Sequence, residues 1–216
     1  MQESRTSSHL RLMATSVFAG SVILVAGSSV FAGLNATVSA SQEDSTGTLV
    51  LSSANNGSGF TQPISNLAPG DVVNRYVTLT NSGTLNSREL SLSVASTGTS
   101  TLITDGVAPA TSKALTVTVL SCTGGNWDTN TGACSGTINT EIAETSLSAF
   151  TAQKVFAVSS TLSSGSNAKL QIKTRLPNQD ETTINGVLPP VTVQNGSATL
   201  TYLFNQAQLP GAVTNS

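Results

Sequence analysis

The chain has 216 residues, of which 38% are hydrophobic and only 9% are charged, and its formal net charge at pH 7 is −2. This length is sufficient for one domain with a sizeable core, and the lack of a basic excess excludes a strongly basic nucleic-acid-binding surface. Serine, threonine and glycine are abundant, which favours strands and turns over helices because β-branched threonine suits a pleated sheet. We therefore expect an all-β fold.

The first 32 residues have the pattern of an export signal. A basic start is followed by a largely apolar run from Leu12 to Val30 and then by Ala32, the small residue that a signal peptidase requires. We predict cleavage between Ala32 and Gly33, which makes the protein secreted and leaves no membrane segment after cleavage. Two alternatives stay open. The apolar run is about long enough to anchor an uncleaved chain in a bilayer, and Val38-Ser39-Ala40 is a second candidate cleavage site.

The segment after the predicted cleavage site alternates strictly between apolar and polar residues. Its apolar positions are Leu34, Ala36, Val38 and Ala40. A period of two residues predicts a strand with one buried face. We assign residues 33–47 to an N-terminal strand and hinge, residues 48–208 to the main domain, and residues 209–216 to a flexible C-terminal tail.

Short one-sided apolar runs recur along the main domain at the spacing of a β-sandwich. They lie at residues 48–52, 73–80, 89–95, 115–119, 154–162, 170–172 and 200–204, with turn sequences at Pro69-Gly70-Asp71, Asn81-Ser82-Gly83 and Asn195-Gly196. Residues 140–149 and 176–190 show no clear pattern and are expected to be irregular, the first with a short helical turn. The prediction is an antiparallel two-sheet sandwich of jelly-roll type.

Cys122 and Cys134 flank eleven turn-rich residues. In an exported chain, two thiols this close predict a disulfide, and closing a loop of this length contributes about 2 to 3 kcal/mol to stability. A redox role is disfavoured because the spacing is not Cys-x-x-Cys. Within the loop, Asp128-x-Asn130-x-Gly132 has the alternating oxygens of half a calcium loop, but the distal glutamate is missing. A simple turn is the favoured interpretation.

Several segments of the chain resemble the TasA/camelysin family of secreted proteins from Gram-positive bacteria. They are Thr46-Gly47-Thr48-Leu49-Val50-Leu51, Asn66-Leu67-Ala68-Pro69-Gly70-Asp71, the strand through Arg75, Tyr76 and Thr80, the turn Asn81-Ser82-Gly83-Thr84-Leu85, and Tyr202-Leu203-Phe204-Asn205-Gln206-Ala207-Gln208. The resemblance implies a jelly roll that is exported with a dedicated signal peptidase and assembled into fibres of the biofilm matrix. In such fibres the extended N-terminus of one subunit fills a groove in the next.

On this resemblance the segment from Leu34 to Ser41 is a donor strand, and the partner of the chain is a second copy of itself. Other matrix proteins and polysaccharide are further candidate partners. A head-to-tail contact of this kind does not close and gives an open filament. The alternative is that the segment pairs with its own subunit, which leaves a monomeric surface adhesin or accessory matrix protein. The sequence does not decide between pairing in cis and pairing in trans.

An enzyme is the competing class of function, because camelysin-like proteins have been assigned to a metallopeptidase family. The single histidine, His9, lies in the predicted signal. The secreted part therefore has no imidazole for a zinc site or for a Ser/His/Asp triad. We expect no enzyme activity, no catalytic residues, no metal site and no cofactor.

Overall fold

The structure, a computed structural model, describes residues 33–38, 48–56, 60, 67–107, 112–150, 152–179, 181, 185–187 and 191–209. For residues 33–38 it describes the backbone alone. The predicted signal peptide, residues 39–47 with the end of the predicted N-terminal strand and the hinge, and the residues after Leu209 lie outside the described residues.

The described part of the chain contains nine strands and two short helical turns. The strands are β1 (Gly33–Val38), β2 (Leu51–Asn56), β3 (Val72–Asn81), β4 (Ser87–Gly98), β5 (Thr116–Thr123), β6 (Thr137–Ser146), β7 (Lys154–Val155), β8 (Asn167–Arg175) and β9 (Ala198–Gln208). A four-residue helix, α1 (Ser100–Ile103), follows β4, and a 3-10 turn (Leu147–Ala149) follows β6. A high strand content and little helix within the described residues are what the threonine-rich composition predicts.

The strands form two sheets that pack together. One sheet has the order β1-β9-β4-β7, and the other has the order β2-β3-β8-β5-β6. All of these pairs are antiparallel except β1–β9, which is parallel. The all-β sandwich expected from the sequence is therefore confirmed.

The core lies between the two sheets and follows from the alternation of side chains along each strand. On β9, the even-numbered residues from Ala198 to Phe204 are buried, while the residues between them are more exposed. The odd-numbered positions of β3 and the even-numbered positions of β8 contribute the other wall, which includes Val77, Leu79, Leu170 and Ile172. Side chains that point inward from both sheets thus build one continuous core.

Strand β6 differs from the sequence expectation. Residues 140–149 were expected to be irregular, but most of them belong to β6 (Thr137–Ser146). Its pairing with β5 has two register shifts, and the adjacent residues Glu141 and Ile142 are both buried. A bulge inserts an extra residue and so interrupts the alternation that reveals a strand in the sequence.

Two further expectations are corrected by the structure. Of the predicted strand at residues 154–162, only Lys154 and Val155 form a strand, and the remainder follows the edge of β4 as an irregular segment, with Leu90 N–H donating to Ser160 O at 2.9 Å. The pairing of β1 is parallel in a sandwich that was expected to be antiparallel. A tight hairpin forces the two strands that it joins to run antiparallel, whereas a strand joined by a long connection can pair in either direction.

Candidate functional site

The predicted donor segment forms the outermost strand of the four-stranded sheet. β1 runs parallel to β9, from Gly33 opposite Thr199 to Val38 opposite Phe204. Within this chain the segment therefore pairs in cis. Ala40, the fourth predicted apolar position, lies outside the described residues. An edge strand has a neighbour on one side only, so its departure breaks one ladder and leaves the other strand pairs intact.

The core next to β1 is supplied by β9. Tyr202 and Phe204 are fully buried, at 0% exposure. The Tyr202 hydroxyl shares a 2.9 Å hydrogen bond with the hydroxyl of Thr174, and the ring of Phe60 lies 5.3 Å from the Tyr202 ring. Burial raises the pKa of Tyr202 against the opposing effects of the Thr174 hydrogen bond and the charge of Arg75, so the phenol is neutral. Removal of β1 would therefore expose a main-chain edge that lies beside a well-packed core.

Residues 48–50 are the first described residues after β1. They attach the N-terminal segment to the domain, and we call them the arm root. The turn after β3 holds the arm root by hydrogen bonds. Ser82 N–H donates to Val50 O at 2.8 Å, and Thr84 N–H donates to Thr48 O at 2.8 Å. Thr48 N–H donates in return to Thr84 Oγ1 at 3.0 Å. We call the N-terminal segment at residues 33–41 the arm. The point at which the chain that carries it joins the domain is thus fixed by main-chain contacts.

Gly83 lies at the centre of this turn and permits the close approach of the arm root. A Cβ at this position would lie 2.7 Å from the Val50 nitrogen and 2.9 Å from the Leu49 Cα. Both distances are too short for a real side chain, so any other residue would push the arm root away. Leu49 is only 5% exposed, and the arm root is therefore packed as well as hydrogen-bonded.

Asn81 supports the same turn from inside the protein. Its side chain is fully buried, and its Nδ2 donates to Leu85 O at 2.7 Å and to Leu162 O at 3.0 Å. Its Oδ1 accepts from Gly83 N–H at 3.1 Å. One amide thus bonds to three main-chain groups, of which Leu162 O also accepts from Ser87 N–H at 2.8 Å. It connects the end of β3, the turn that holds the arm root and the segment before β8.

The other predicted family turn lies just before β3. Ala68 N–H donates to the Asp71 carboxylate at 2.8 Å, and Gly70 N–H donates to Leu176 O at 2.7 Å, which ties the turn to the end of β8. Gly70 has a φ of +95°, a conformation that glycine adopts without strain. This turn therefore has a structural role. It positions the start of β3 beside the end of β8.

The disulfide between Cys122 and Cys134 is present, with the two Cα atoms 5.7 Å apart. Its loop lies over the outer face of the five-stranded sheet. There Trp127 Nε1 donates to Lys169 O at 3.0 Å, and the indole ring lies 6.0 Å from the ring of Tyr76. Tyr76 is only 4% exposed, although its neighbours along β3 point into the core. The sequence revealed the disulfide but not this aromatic cover, because the contact joins distant parts of the chain.

Within the disulfide loop, Asp128 has the role of a turn residue. Its carboxylate accepts from Thr131 Oγ1 at 2.8 Å, from Asn130 N–H at 2.9 Å and from Thr131 N–H at 3.3 Å. The hydrogen bond from the Thr131 hydroxyl and those from the two main-chain groups lower the pKa of this carboxyl. Bonds from a carboxylate to donors two and three residues further along the chain are typical of a turn.

Glu141, on β6, holds the irregular segment after β7, a role that the sequence did not reveal. Its carboxylate accepts from Val158 N–H at 2.8 Å, from Ser159 N–H at 2.9 Å and from Ser159 Oγ at 2.6 Å. Burial alone would raise its pKa, but hydrogen bonds, among them those from Ser159 and Val158, outweigh burial and lower it. The sequence around Glu141 does not alternate regularly between apolar and polar residues. It therefore gave no indication that this carboxylate would be buried and hydrogen-bonded.

A sequence model that describes the camelysin metallo-endopeptidase family matches residues 11–212. The chain belongs to this family. The match includes the arm, the arm root and both family turns, which confirms the resemblance found in those segments. The family includes TasA and is typically extracellular, and membership supports a matrix-type protein in general terms.

Other comparisons add little to the family assignment. No curated protein gives a significant match. A solved structure described as "AvmM Catalyzes Macrocyclization in Alchivemycin A Biosynthesis" matches 77% of this chain and 91% of its own, at 8% identity and a TM-score of 0.28. A TM-score this low does not establish a shared fold. Within the residues that the structure describes, no helix has the length and apolar character to cross a bilayer.

The family description raises the question of a catalytic metal. This camelysin-family chain has one histidine, His9, in its predicted signal peptide, and its two cysteines are bonded to each other. Across the described ranges, no three His, Cys, Asp or Glu side chains come together in a group that could hold a metal. Catalytic zinc sites in peptidases use histidine ligands. The donor set described here therefore does not fit such a site.

Proposed function

We propose that this chain is a structural subunit of extracellular matrix fibres, in which β1 of one subunit pairs with the β9 edge of the next. The observation that carries the proposal is the position of β1 as an outermost strand whose ladder runs along β9. An identical subunit without its own β1 would offer the same edge. Exchange of the strand between subunits therefore preserves its contacts, and repeated exchange gives an open filament.

The connection between arm and domain can reach far when it is extended. Nine residues, 39–47, join β1 to the arm root. A fully extended segment of this length spans about 30 Å. Because the turn after β3 holds the arm root independently, β1 can detach while β2 stays paired. Parallel pairing is slightly less stable per residue than antiparallel pairing, which favours release of β1 from its own sheet.

Concentration decides between the two arrangements. The contacts of β1 are the same in cis and in trans, so they largely cancel in the exchange. A tethered arm competes with neighbouring subunits at an effective concentration of the order of millimolar. Assembly is therefore expected where secreted protein accumulates at a surface, or where contacts between subunits add to those of the arm. Low net charge assists this approach because self-repulsion is weak.

The arm is tested by deletion and by a pair of substitutions in residues 33–216. Deleting residues 33–41 should leave a folded domain that forms no filaments in electron micrographs. By the alternation of the sequence, Val38→Asp places a charge on the apolar face and Thr37→Asp places it on the polar face. The first should leave the arm undocked in cis and in trans alike and so reduce the filament yield strongly, because an unpaired charge in an apolar site costs several kcal/mol.

The Thr37→Asp variant controls for the added charge and should assemble as the unmodified chain does. Unchanged filaments after deletion of the arm would contradict the proposal. Equal effects of the two substitutions would show that the face of the strand plays no part in recognition.

The cis pairing of β1 favours one other function, that of a monomeric surface adhesin or accessory matrix protein. In that case residues 33–38 should show slow hydrogen exchange in a protein that sediments as a monomer at every concentration. In the fibre, the same amides should be protected and the sedimentation should rise steeply with concentration. Sedimentation and exchange measured on one sample therefore separate the two functions.

We further propose that the chain is not a peptidase, in spite of the description that its family carries. The support is the donor set, which offers carboxylates and one disulfide in the described ranges and no histidine after His9. Purified residues 33–216 should leave casein intact. Cleavage of casein that a chelator abolishes would contradict this proposal and leave the fibre proposal untouched.

A further inference from the structure

Two central strands of the five-stranded sheet, β5 and β8, stop pairing with each other before either strand ends. Their ladder runs from Thr116 opposite Arg175 to Ser121 opposite Leu170. β5 continues to Thr123 and β8 begins at Asn167, but these outlying residues pair only with the neighbour on the far side, β6 or β3. The two strands therefore separate at this end of the sandwich.

A cavity of about 360 Å³ lies where the strands separate, and we call it the end cavity. It is lined by the end of β5 with the two glycines that follow it, by the start of β8, and by the segment at residues 158–163. This volume is far larger than the roughly 30 Å³ that one water molecule occupies, and it falls within the range of about 300 to 1,000 Å³ that is usual for small-molecule sites. A single buried water does not account for it.

The lining of the end cavity is rich in hydroxyl groups. The six hydroxyl side chains are those of Ser121, Thr123, Ser159, Thr161, Ser163 and Ser166. Among the described residues that line the cavity there is no carboxylate and no aromatic ring, and Lys169 carries the single charge. Its ammonium group already donates to Gly125 O at 3.0 Å and to Asn126 Oδ1 at 2.7 Å. Such a lining suits neither an apolar ligand nor a calcium ion, which needs carboxylate oxygens.

Ser121 places an unpaired hydroxyl at the buried side of the cavity. It continues the inward-facing row of β5 after Val117 and Val119, and it is only 2% exposed. Its hydroxyl lies near the Glu141 carboxylate and helps to lower the pKa of that group, but it has hydrogen-bond geometry with no atom of the described residues. A hydroxyl has one donor and two acceptor positions, and buried polar atoms are rarely left without a partner. A ligand with hydroxyl groups of its own supplies that partner.

The walls of the end cavity are held in place from outside. On one side, the disulfide at Cys122 and the bonds from Lys169 Nζ hold the glycine-containing loop. On the other side, the Glu141 carboxylate accepts from Ser159 N–H at 2.9 Å and from Ser159 Oγ at 2.6 Å. A site whose walls are fixed in advance loses little entropy when a ligand binds. Because Lys169 and Glu141 have opposite charges, their effects on a bound charge oppose each other, and a neutral ligand is favoured.

We propose that the end cavity binds one neutral sugar ring, whose hydroxyl groups both donate to and accept from the serine and threonine side chains. Without an aromatic ring for stacking, a few hydrogen bonds supply the affinity, so we expect a Kd of about 1 to 10 mM. Such a ring reaches the site as a free sugar or as part of a polysaccharide. In a fibre, repeated sites would act together on one polysaccharide chain. That last step alone rests on the proposed function.

The test is saturation-transfer difference NMR on residues 33–216 with methyl β-glucoside, methyl β-galactoside and methyl β-N-acetylglucosaminide. The measurement works on single subunits and on filaments alike. Ser121→Ala should weaken binding of the best glycoside about fivefold, the effect of one net hydrogen bond. It should not lower the urea midpoint, because the removed hydroxyl has no hydrogen-bond partner in the described part of the chain.

Ser93→Ala is the matched control, since it makes the same change on β4 of the other sheet and should leave binding unaltered. The trisaccharide of the best sugar distinguishes the two sources, because it binds more tightly than the glycoside if the site takes a polysaccharide and equally if it takes a free sugar. No transfer to any glycoside at about 100 mM would overturn the proposal. So would unchanged binding in Ser121→Ala, an equal loss in Ser93→Ala, or a Ser121→Ala chain that is less stable in urea. A chain without filaments contradicts the proposed function alone.

Discussion

Replacing Asn81 by aspartate perturbs the centre of the turn that holds the arm root, with almost no change in shape. Asn81 Nδ2 donates to Leu85 O at 2.7 Å and to Leu162 O at 3.0 Å. An ionised carboxylate has no hydrogen to donate, so both carbonyl oxygens would face an anion in the interior. The loss of two hydrogen bonds and the burial of an unpaired charge cost about 3 to 5 kcal/mol. This is a large fraction of the free energy of unfolding of a typical domain.

The cost of Asn81→Asp should depend on pH. Burial beside two carbonyls disfavours the anion, so the introduced carboxyl has a higher pKa in the folded state than in the unfolded state, where it is about 3.9. The free energy of unfolding therefore falls, relative to the unmodified chain, as the pH rises above about 4, and it recovers in more acidic solution. Urea denaturation followed by circular dichroism between about pH 4 and pH 8 measures this difference.

Asn86→Asp provides the matched control five positions along the chain. Asn86 is exposed, and its Oδ1 accepts from Ser164 N–H at 3.0 Å, an interaction that aspartate retains. Its effect should stay within about 0.5 kcal/mol. Hydrogen exchange of the Ser82 and Thr84 amides, which donate to the arm root, should accelerate in Asn81→Asp alone. An equal loss in both variants, or a loss that does not change with pH, would refute the role assigned to Asn81.

Reduction of the Cys122–Cys134 bond should lower the free energy of unfolding by about 2 to 3 kcal/mol and shift the emission of Trp127, the single tryptophan, to longer wavelength as the loop leaves the sheet. An unchanged spectrum would show that the loop stays in place without the bond. Glu141→Gln should cost about 2 kcal/mol in urea denaturation at neutral pH, because the donors of Ser159 lose a charged acceptor. The pKa of Glu141 is lowered in the folded state, so its stabilising effect is complete above the unfolded value of about 4.3 and disappears as the pH falls through the folded value. The difference between the two proteins should therefore shrink in acid, and a constant difference would contradict this account.

Several features could be predicted from local sequence because their causes are local. The turn residues at Pro69-Gly70-Asp71 and Asn81-Ser82-Gly83 lie in turns, and Cys122 and Cys134 are bonded. The segment at residues 33–38 forms a strand, as its alternation predicts. Its role as a donor and the cleavage that would release it stay predictions.

Other features escaped prediction for identifiable reasons. The bulged strand β6 lost its alternation where Glu141 and Ile142 are both buried. The segment at residues 154–162 has apolar residues at regular intervals, but it packs against an edge with few ladder hydrogen bonds. Phe156 is buried whereas Val158 is 55% exposed, so apolar residues at the interval of a strand do not here mark one buried face.

The sequence by itself determined the all-β class, the one-sided strands and the family, because side-chain alternation and turn chemistry act over a few residues. Only the tertiary structure decided how those pieces meet. It pairs β1 parallel to β9, places the arm root against Gly83 and makes β2 an outermost strand of the other sheet. These arrangements depend on hydrogen bonds between residues far apart in the chain, such as Asn81 and Leu162. Contacts of that kind leave no period and no local motif by which a sequence could reveal them.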